Sequence, residues 1–430
     1  MLRQLPAALP AAEGLPAALA VRAGVREALV AVGPHAPASF ALERLDRRMR
    51  EVLSLWFAPG MLRVELVQVG AASPEVLQAL ADVASSAAPG FDGDAAAALS
   101  SPSRRAFVLT HAQMELGAAP LMVAHASLLG EMPGTLRDAV EPTGGVAAKV
   151  ACLWALGAPR APGGAQVEAL RGLGLGQVLR RAASEALRQE LVATGSVEDA
   201  PVVALARLSG FREFLLQCRV WERTGLETTQ AEILRRAAQG PEDFAGPGEV
   251  RFVDIDGDNV RFALGPWADG YAHALTVEFG GGAPRRIVKL AVAPDSQAVR
   301  FFVEPGPEAF QIDVNSDVAT SGVLANVQLM GEAVGLLPNQ VREPLMHFAY
   351  EYITRRGPDG RRSAEPVSHF HLAGGAAMNA LHWGADDSAF GLVDSLGIMS
   401  SFVYRGASVE SDAAQAYADD GLNAATFTAS

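Results

Sequence analysis

The spacing of apolar positions changes several times along this chain, and each change marks a different kind of element. From Ser39 to Phe57 the apolar residues Leu42, Leu45, Met49, Val52, Leu53 and Trp56 share one helical stripe, which Ala58-Pro-Gly60 stops. Met61 to Val69 suits a short strand, and Ser73 with Glu75 opens a second helix. Ser85 to Ser103, rich in Ala, Ser, Gly and Pro, reads as a boundary. Strands are then expected at Arg105–Thr110, Pro120–His125, Lys149–Leu156 and Pro201–Ala206, with a loop carrying a helical turn from Ser127 to Val140.

Between the last two strands lies the stretch that carries most information. Leu175, Leu179, Ala183, Leu187 and Leu191 recur every four residues and define one face of a helix. Arg180, Arg181, Arg188 and Gln189 fall mostly off that face. A second amphipathic helix is expected over Ser209–Trp221. From about 240 to 325 the helical period disappears. Val250–Ile255 and Val260–Leu264 flank Asp256-Gly-Asp-Asn259, which predicts a β-hairpin, since its glycine is misplaced for a calcium loop. Further strands are expected at Ala274–Phe279, Ile287–Val292, Val299–Val303 and Phe310–Val314. Helix returns after Gly331 and covers Val341–Arg355. Pro366–Leu372 reads as a strand ending at Gly374-Gly375, and the tail after Tyr404 reads as loosely ordered.

The fold class is therefore α/β with α+β layering. An N-terminal helical domain spans 1–103. A second domain of alternating strands and helices spans 104–239 and 326–430, interrupted by a β-rich insertion at 240–325. The formal charge of −13 argues against a nucleic-acid partner. Cys152 and Cys218 are the only cysteines and suit a reducing cytoplasm better than a disulfide framework. Pro6, Pro10, Glu13 and Pro16 break any signal-peptide core, and no apolar run is long enough for a membrane span. No Cys/His cluster has metal spacing. The expectation is a cytoplasmic protein with no membrane partner, no metal and no separate cofactor.

The turn before the long helix supplies the candidate chemistry. Strand, glycine turn and helix together present free N–H groups and a positive dipole end to a phosphate. Gly172, Gly174 and Gly176 do not fit a dinucleotide fingerprint, and no P-loop lysine is present. Arg171, Gly174 and Gly176 do fit [QR]-x-x-G-x-[GA], which resembles the pyrophosphate cradle of the GNAT acyl-CoA superfamily. Arg171, Gly172, Leu173, Gly174, Leu175, Gly176 and Gln177 are then the residues expected around the phosphates. A tight turn needing glycine for backbone reasons explains the same glycines without a ligand.

A broader resemblance lies in the C-terminal third. Pro366-Val-Ser-His-Phe-His-Leu-Ala-Gly-Gly-Ala376 is similar to the P-V-A-x-F-H-L-x-N-G-A signature of malonyl-CoA decarboxylases. Leu381-His-Trp-Gly-Ala-Asp-Asp-Ser388 resembles that family's L-N-W-x-A-D-x-S. Ser395-Leu-Gly-Ile-Met399 with Tyr404 resembles S-x-G-L-M-x-N-Y-x-Y. Pro344-Leu-Met346 with Tyr350 and Tyr352, and Trp56-Phe-Ala-Pro-Gly-Met-Leu62 near the start, add to the likeness.

The resemblance implies a helical domain followed by a GNAT-like catalytic domain, an acyl-CoA substrate and a homo-oligomer. It implies decarboxylation of malonyl-CoA or a substituted malonyl thioester, with His371 as the catalytic histidine. His369, two residues away on the expected strand, would share its face. The pattern also departs from the family. The family serine falls on Ala206, its glutamate on Gly174 and its signature asparagine on Gly374. Ser209 or Arg207 could compensate, although Arg207 could equally be a surface residue. A GNAT-type acyltransferase and a non-catalytic acyl-CoA-binding protein with a decayed site are the alternatives.

Overall fold

The stripe at Leu42–Trp56 forms its helix for the reason its spacing gives: Met49, Leu53 and Trp56 are buried along one side. The computed structural model describes residues 11–33, 36–88, 100–112, 119–142, 147–159, 169–195, 200–255, 258–267, 272–292, 298–304, 309–313, 318–356 and 363–420. The chain divides into two compact units. The first comprises 1–133, 138–204 and 404–406, and the second 134–137, 205–403 and 407–430.

In the first unit α1 (Ala11–Val32) pairs with α2 (Pro37–Trp56). β1 (Leu62–Leu66) follows, then α3 (Pro74–Ala87), whose first turn is capped by the Ser73 hydroxyl accepting from Val76 N–H. β2 (Arg104–His111) and β3 (Met122–Leu129) are antiparallel neighbours, and β1 and β4 (Val150–Gly157) flank them, also antiparallel. β3 runs four residues past His125, so the expected loop from Ser127 starts later. Its alternation continues inward through Ser127, whose hydroxyl donates to Ala139 O at 2.5 Å. α4 (Leu175–Ala193) buries Leu175, Leu179, Ala183, Leu187 and Leu191 and packs on β2, β3 and β4. Arg180 departs from its expected place off the apolar face. It is buried, with its guanidinium 4.1 Å from the centre of the Tyr404 ring and bonded to Gln177 Oε1. A stacked cation of this kind leaves no apolar signature in the sequence.

β5 (Val202–Arg207) pairs with β4 in parallel through Ala151↔Val202 and Leu153↔Ala204, and passes into the second unit at Leu205. There its second half neighbours β13 (Met399–Tyr404), which in turn neighbours β12 (Ala377–His382). α5 (Phe211–Gln217) is shorter than the sequence suggests, because Arg219 takes a left-handed conformation and a 3₁₀ turn replaces its end. α6 (Thr228–Gln239) carries a capping box from Glu227 and Gln230.

The region from 240 onward is β-rich, as expected. β6 (Glu249–Ile255), β7 (Asp258–Trp267), β8 (Ala272–Phe279), β9 (Arg285–Val292), β10 (Ala298–Glu304) and β11 (Ala309–Asp313) form one antiparallel meander. Asp256 and Gly257 of the hairpin turn lie outside the described residues. One face of this sheet is closed by α7 (Val318–Ala333). Phe262, Leu275, Val277, Ile287 and Phe301 share a core with Val327 and Met330. Helix thus returns at Val318, earlier than the sequence reading placed it. The remaining elements are α8 (Arg342–Thr354), α9 (Pro366–Ala373), α10 (Ala389–Ser395) and α11 (Ala407–Asp420). α11 corrects the expectation of a loosely ordered tail: Tyr417 is buried and its hydroxyl accepts from Ser363 N–H at 2.8 Å. Residues 421–430 lie outside the described residues.

His125 gives the first unit a pH dependence. It is buried, its Nε2 lies 3.0 Å from Leu80 O, and its ring sits 4.9 Å from that of Trp154. Burial pulls its pKa down to about 4, with the Leu80 carbonyl opposing and the Arg104 charge assisting. The unfolded chain protonates this histidine near the ordinary value of about 6.5 and the folded chain does not. Between those values the unfolded state binds more protons, so stability falls as pH drops through that window. Melting temperature should decline from pH 7 to 4 in the wild type and decline less in His125→Gln.

Candidate functional site

The glycine turn belongs to the first unit. Leu173 N–H bonds back to Leu170 O at 3.3 Å, closing a tight loop that needs left-handed backbone at Gly172 (φ 75°) and Gly174 (φ 74°). Such φ values are costly for side chains other than glycine, with Asn and Asp the partial exceptions. Backbone conformation therefore explains two of the three glycines. Gly174 is the N-cap of α4 and brings no capping side chain. The first N–H groups of a helix have no intrahelical acceptor, and the dipole makes that end positive. A Cβ at Gly174 would meet nothing within 4 Å. The open space and the uncapped helix start together suit an anion.

An added charge at this point should be felt. Asp and Asn both tolerate left-handed backbone, so Gly174→Asn is the control for Gly174→Asp. CoA affinity should fall at least tenfold further in Gly174→Asp, about 1.4 kcal/mol, measured by titration calorimetry. Equal affinities would remove this turn as a phosphate cradle.

The second unit holds His371, Arg207 and Ser209. Glu365 starts α9 as its N-cap, accepting from Val367 N–H and, with a shorter contact, from Ser368 N–H, and Pro366 occupies the first turn. Pro366–Ala373 is therefore helical, which corrects the strand expected there. An acidic cap followed by proline was the available signal. The correction separates the two histidines. Residues two apart on a helix point about 200° apart, so His369 and His371 do not share a face. His369 Nδ1 lies 3.0 Å from the Tyr417 hydroxyl of α11. His371 is buried, with its ring stacked on Phe402 of β13 at 4.7 Å and an interplanar angle of 17°. Beyond α9, left-handed Gly375 (φ 88°) is packed so close to Glu410 O that a side chain could not fit.

Ala206 is buried on β5, and its carbonyl accepts a hydrogen bond from the Ser400 hydroxyl at 3.3 Å. Ser400 and Phe402 are two apart on β13 and so lie on the same face. Arg207 is neither a surface residue nor an uncommitted cation. Its Nε donates to Asp386 Oδ2 at 2.6 Å, and its guanidinium lies 4.7 Å from the Phe390 ring. Asp386 is 1% exposed, and its other oxygen accepts from Ser388 N–H. Gly391 is required beside it, since an added Cβ would fall 2.1 Å from the carboxylate carbon. Ser388 caps α10 by accepting from Gly391 N–H. The A-D-x-S motif is thus accounted for by an ion pair and a helix cap. Ser209 is half-buried, and its carbonyl accepts from the Tyr352 hydroxyl at 2.7 Å.

Sequence reasoning missed a polar cluster on the antiparallel β12–β13 pair. His382 Nε2 lies 2.8 Å from Ser401 Oγ, which also accepts from Asn379 Nδ2 at 3.2 Å. A bulge between Met378 and Ala380 brings these three together. Burial lowers the His382 pKa, which favours the neutral ring. Burial raises the pKa of Asp394, whose carboxylate accepts from Gly210 N–H. Among the described residues no group of three His, Cys, Asp or Glu could hold a metal ion. No helix among them is long and apolar enough to cross a membrane.

Comparison with known proteins follows the same lines. Residues 312–429 match the malonyl-CoA decarboxylase C-terminal domain family. Malonyl-CoA decarboxylase from Rhodopseudomonas palustris has a similar fold, with TM-score 0.58 and 16% identity, over 96% of this chain and 71% of that one. The enzyme from Agrobacterium vitis gives 0.58 and 17% over 95% and 74%. That from Cupriavidus metallidurans gives 0.54 and 17% over 94% and 74%. No curated protein sequence matches the chain.

Proposed function

We propose that the protein is a carboxy-lyase acting on malonyl-CoA or a substituted malonyl thioester, a reading supported by the match of residues 312–429 to the malonyl-CoA decarboxylase C-terminal domain family. The observation that carries this reading is His371. It sits within the matched segment, in the F-H-L motif, and is held against Phe402. The reaction breaks the bond between the α-carbon and the carboxylate. Carbon dioxide leaves, the electron pair forms a thioester enolate, and the α-carbon takes a proton. A histidine can supply that proton near neutral pH. Stacking on Phe402 restricts the plane of the ring. In this reading the CoA phosphates lie on the Gly172–Gln177 turn, and CoA is part of the substrate rather than a cofactor.

Ala206 favours a second reading. Alanine cannot donate a hydrogen bond or take a proton, and a protein that binds acyl-CoA without turning it over would have no need of the serine. An acyltransferase would instead release CoA only when an amine acceptor is present. Incubation with a panel of malonyl thioesters, followed by mass spectrometry of released carbon dioxide, separates these readings. Release supports the lyase. CoA binding without release, in wild type and in Ala206→Ser alike, supports the binding protein.

A further inference from the structure

The Arg22 side chain reaches the glycine turn across a sequence separation of 149 residues. It comes from the middle of α1 and is 1% exposed, a rare place for a cation. Its Nε donates to Asp46 Oδ1 of α2 at 2.9 Å. One terminal nitrogen donates to Ala169 O at 2.7 Å and the other to Arg171 O at 2.7 Å. The guanidinium thus bonds three partners, two of them the backbone carbonyls of residues three and one ahead of Gly172.

The geometry of the peptide group turns this anchor into a pointer. A trans peptide is planar, and its N–H points opposite to its C=O. Holding Arg171 O on Arg22 therefore aims the Gly172 N–H away from Arg22. Holding Ala169 O does the same for the Leu170 N–H. The same contacts draw two carbonyl oxygens toward a cation, so that their negative ends are turned away from the side a phosphate would take. Asp46 balances the charge of Arg22, and Arg26 lies 3.4 Å from its second oxygen. A buried ion pair is a poor way to gain stability compared with apolar side chains of the same volume. A fixed, three-directional donor is what orienting a loop demands, and only arginine offers it.

We propose that Arg22 is a positioning residue for CoA binding, setting the glycine turn in the conformation that receives the phosphates. The proposal rests on the phosphate-cradle reading of that turn. It gives the N-terminal helical pair a share in substrate affinity although it supplies no group to the substrate. Lysine keeps the charge beside Asp46 but cannot hold both carbonyls in fixed directions.

The test is calorimetric titration of the full chain with CoA and with pantetheine, which lacks both the pyrophosphate and the nucleotide. Wild type should bind CoA more tightly than pantetheine. Arg22→Lys should weaken CoA at least tenfold and leave pantetheine within twofold. If Arg22→Lys does not fold, the volume-conserving pair Arg22→Met with Asp46→Leu removes the buried charge and should show the same selective loss. Equal losses for both ligands would mean a purely structural role and overturn the inference. A wild-type preference for CoA that the variants preserve would overturn it while leaving the cradle reading intact. A wild type that binds both ligands equally would overturn the cradle reading and the inference with it.

Discussion

Replacing His371 by alanine should lower carbon dioxide release by about 10²–10⁴-fold, the range for loss of a general acid, while CoA binding is kept. In the proposed reaction the α-carbon of the enolate needs a proton, and the resemblance puts the family's serine on Ala206, which has no hydroxyl. His371 then carries a larger share of what remains. Its ring is buried against Phe402, so removal leaves space beside Phe402. His371→Gln separates the two effects, because glutamine fills much of the volume and donates a hydrogen bond but does not release a proton at useful cost. It should be nearly as slow as alanine. Steady-state release of carbon dioxide, paired with CoA titration of each variant, checks this. Equal rates in wild type and His371→Ala would assign the proton transfer elsewhere.

The largest effect on stability should come from Arg207. Arg207→Met strips Asp386 of its ion-pair partner while that carboxylate stays 1% exposed. Breaking a buried pair from one side costs about 3–5 kcal/mol, because the remaining charge is shut away from water and keeps only the Ser388 N–H. The double change Arg207→Met with Asp386→Leu removes both charges and should recover much of that loss. Urea unfolding, followed by a probe in the second unit, measures both. A single variant destabilised by less than about 1 kcal/mol, the range of an exposed pair, would mean that water reaches Asp386 and that Arg207 is available for a substrate carboxylate.

What the sequence revealed follows from the range of each physical signal. The helical stripes of α2 and α4, the strands β2–β5 and the β-rich meander are local periodicities, and they stand close to where their spacing put them, with β3 running on to Leu129. The short run Pro366–Leu372 was misread because it is too short for a period to show. Its Glu-Pro start was the better signal. Arg180 and Arg207 were misplaced for another reason. Their partners, Tyr404 and Asp386, lie 224 and 179 residues away, and no local pattern distinguishes a buried, paired arginine from a solvated one. The same holds for His382 with Ser401, which meet only because β12 is bulged against β13. The motifs taken from the family resemblance divide in the same way. A-D-x-S is explained by an ion pair and a cap, whereas F-H-L places a buried histidine against Phe402.

The proposed reaction removes a carboxylate from a malonyl thioester. Malonyl-CoA labelled with ¹³C in its free carboxyl group tests it directly, by mass spectrometry of both products from one incubation. The account predicts labelled carbon dioxide and unlabelled acetyl-CoA in equal amounts, formed in proportion to enzyme concentration. No carbon dioxide after many hours from malonyl-CoA or from any substituted malonyl thioester, or free CoA with labelled malonate and no carbon dioxide, would contradict it.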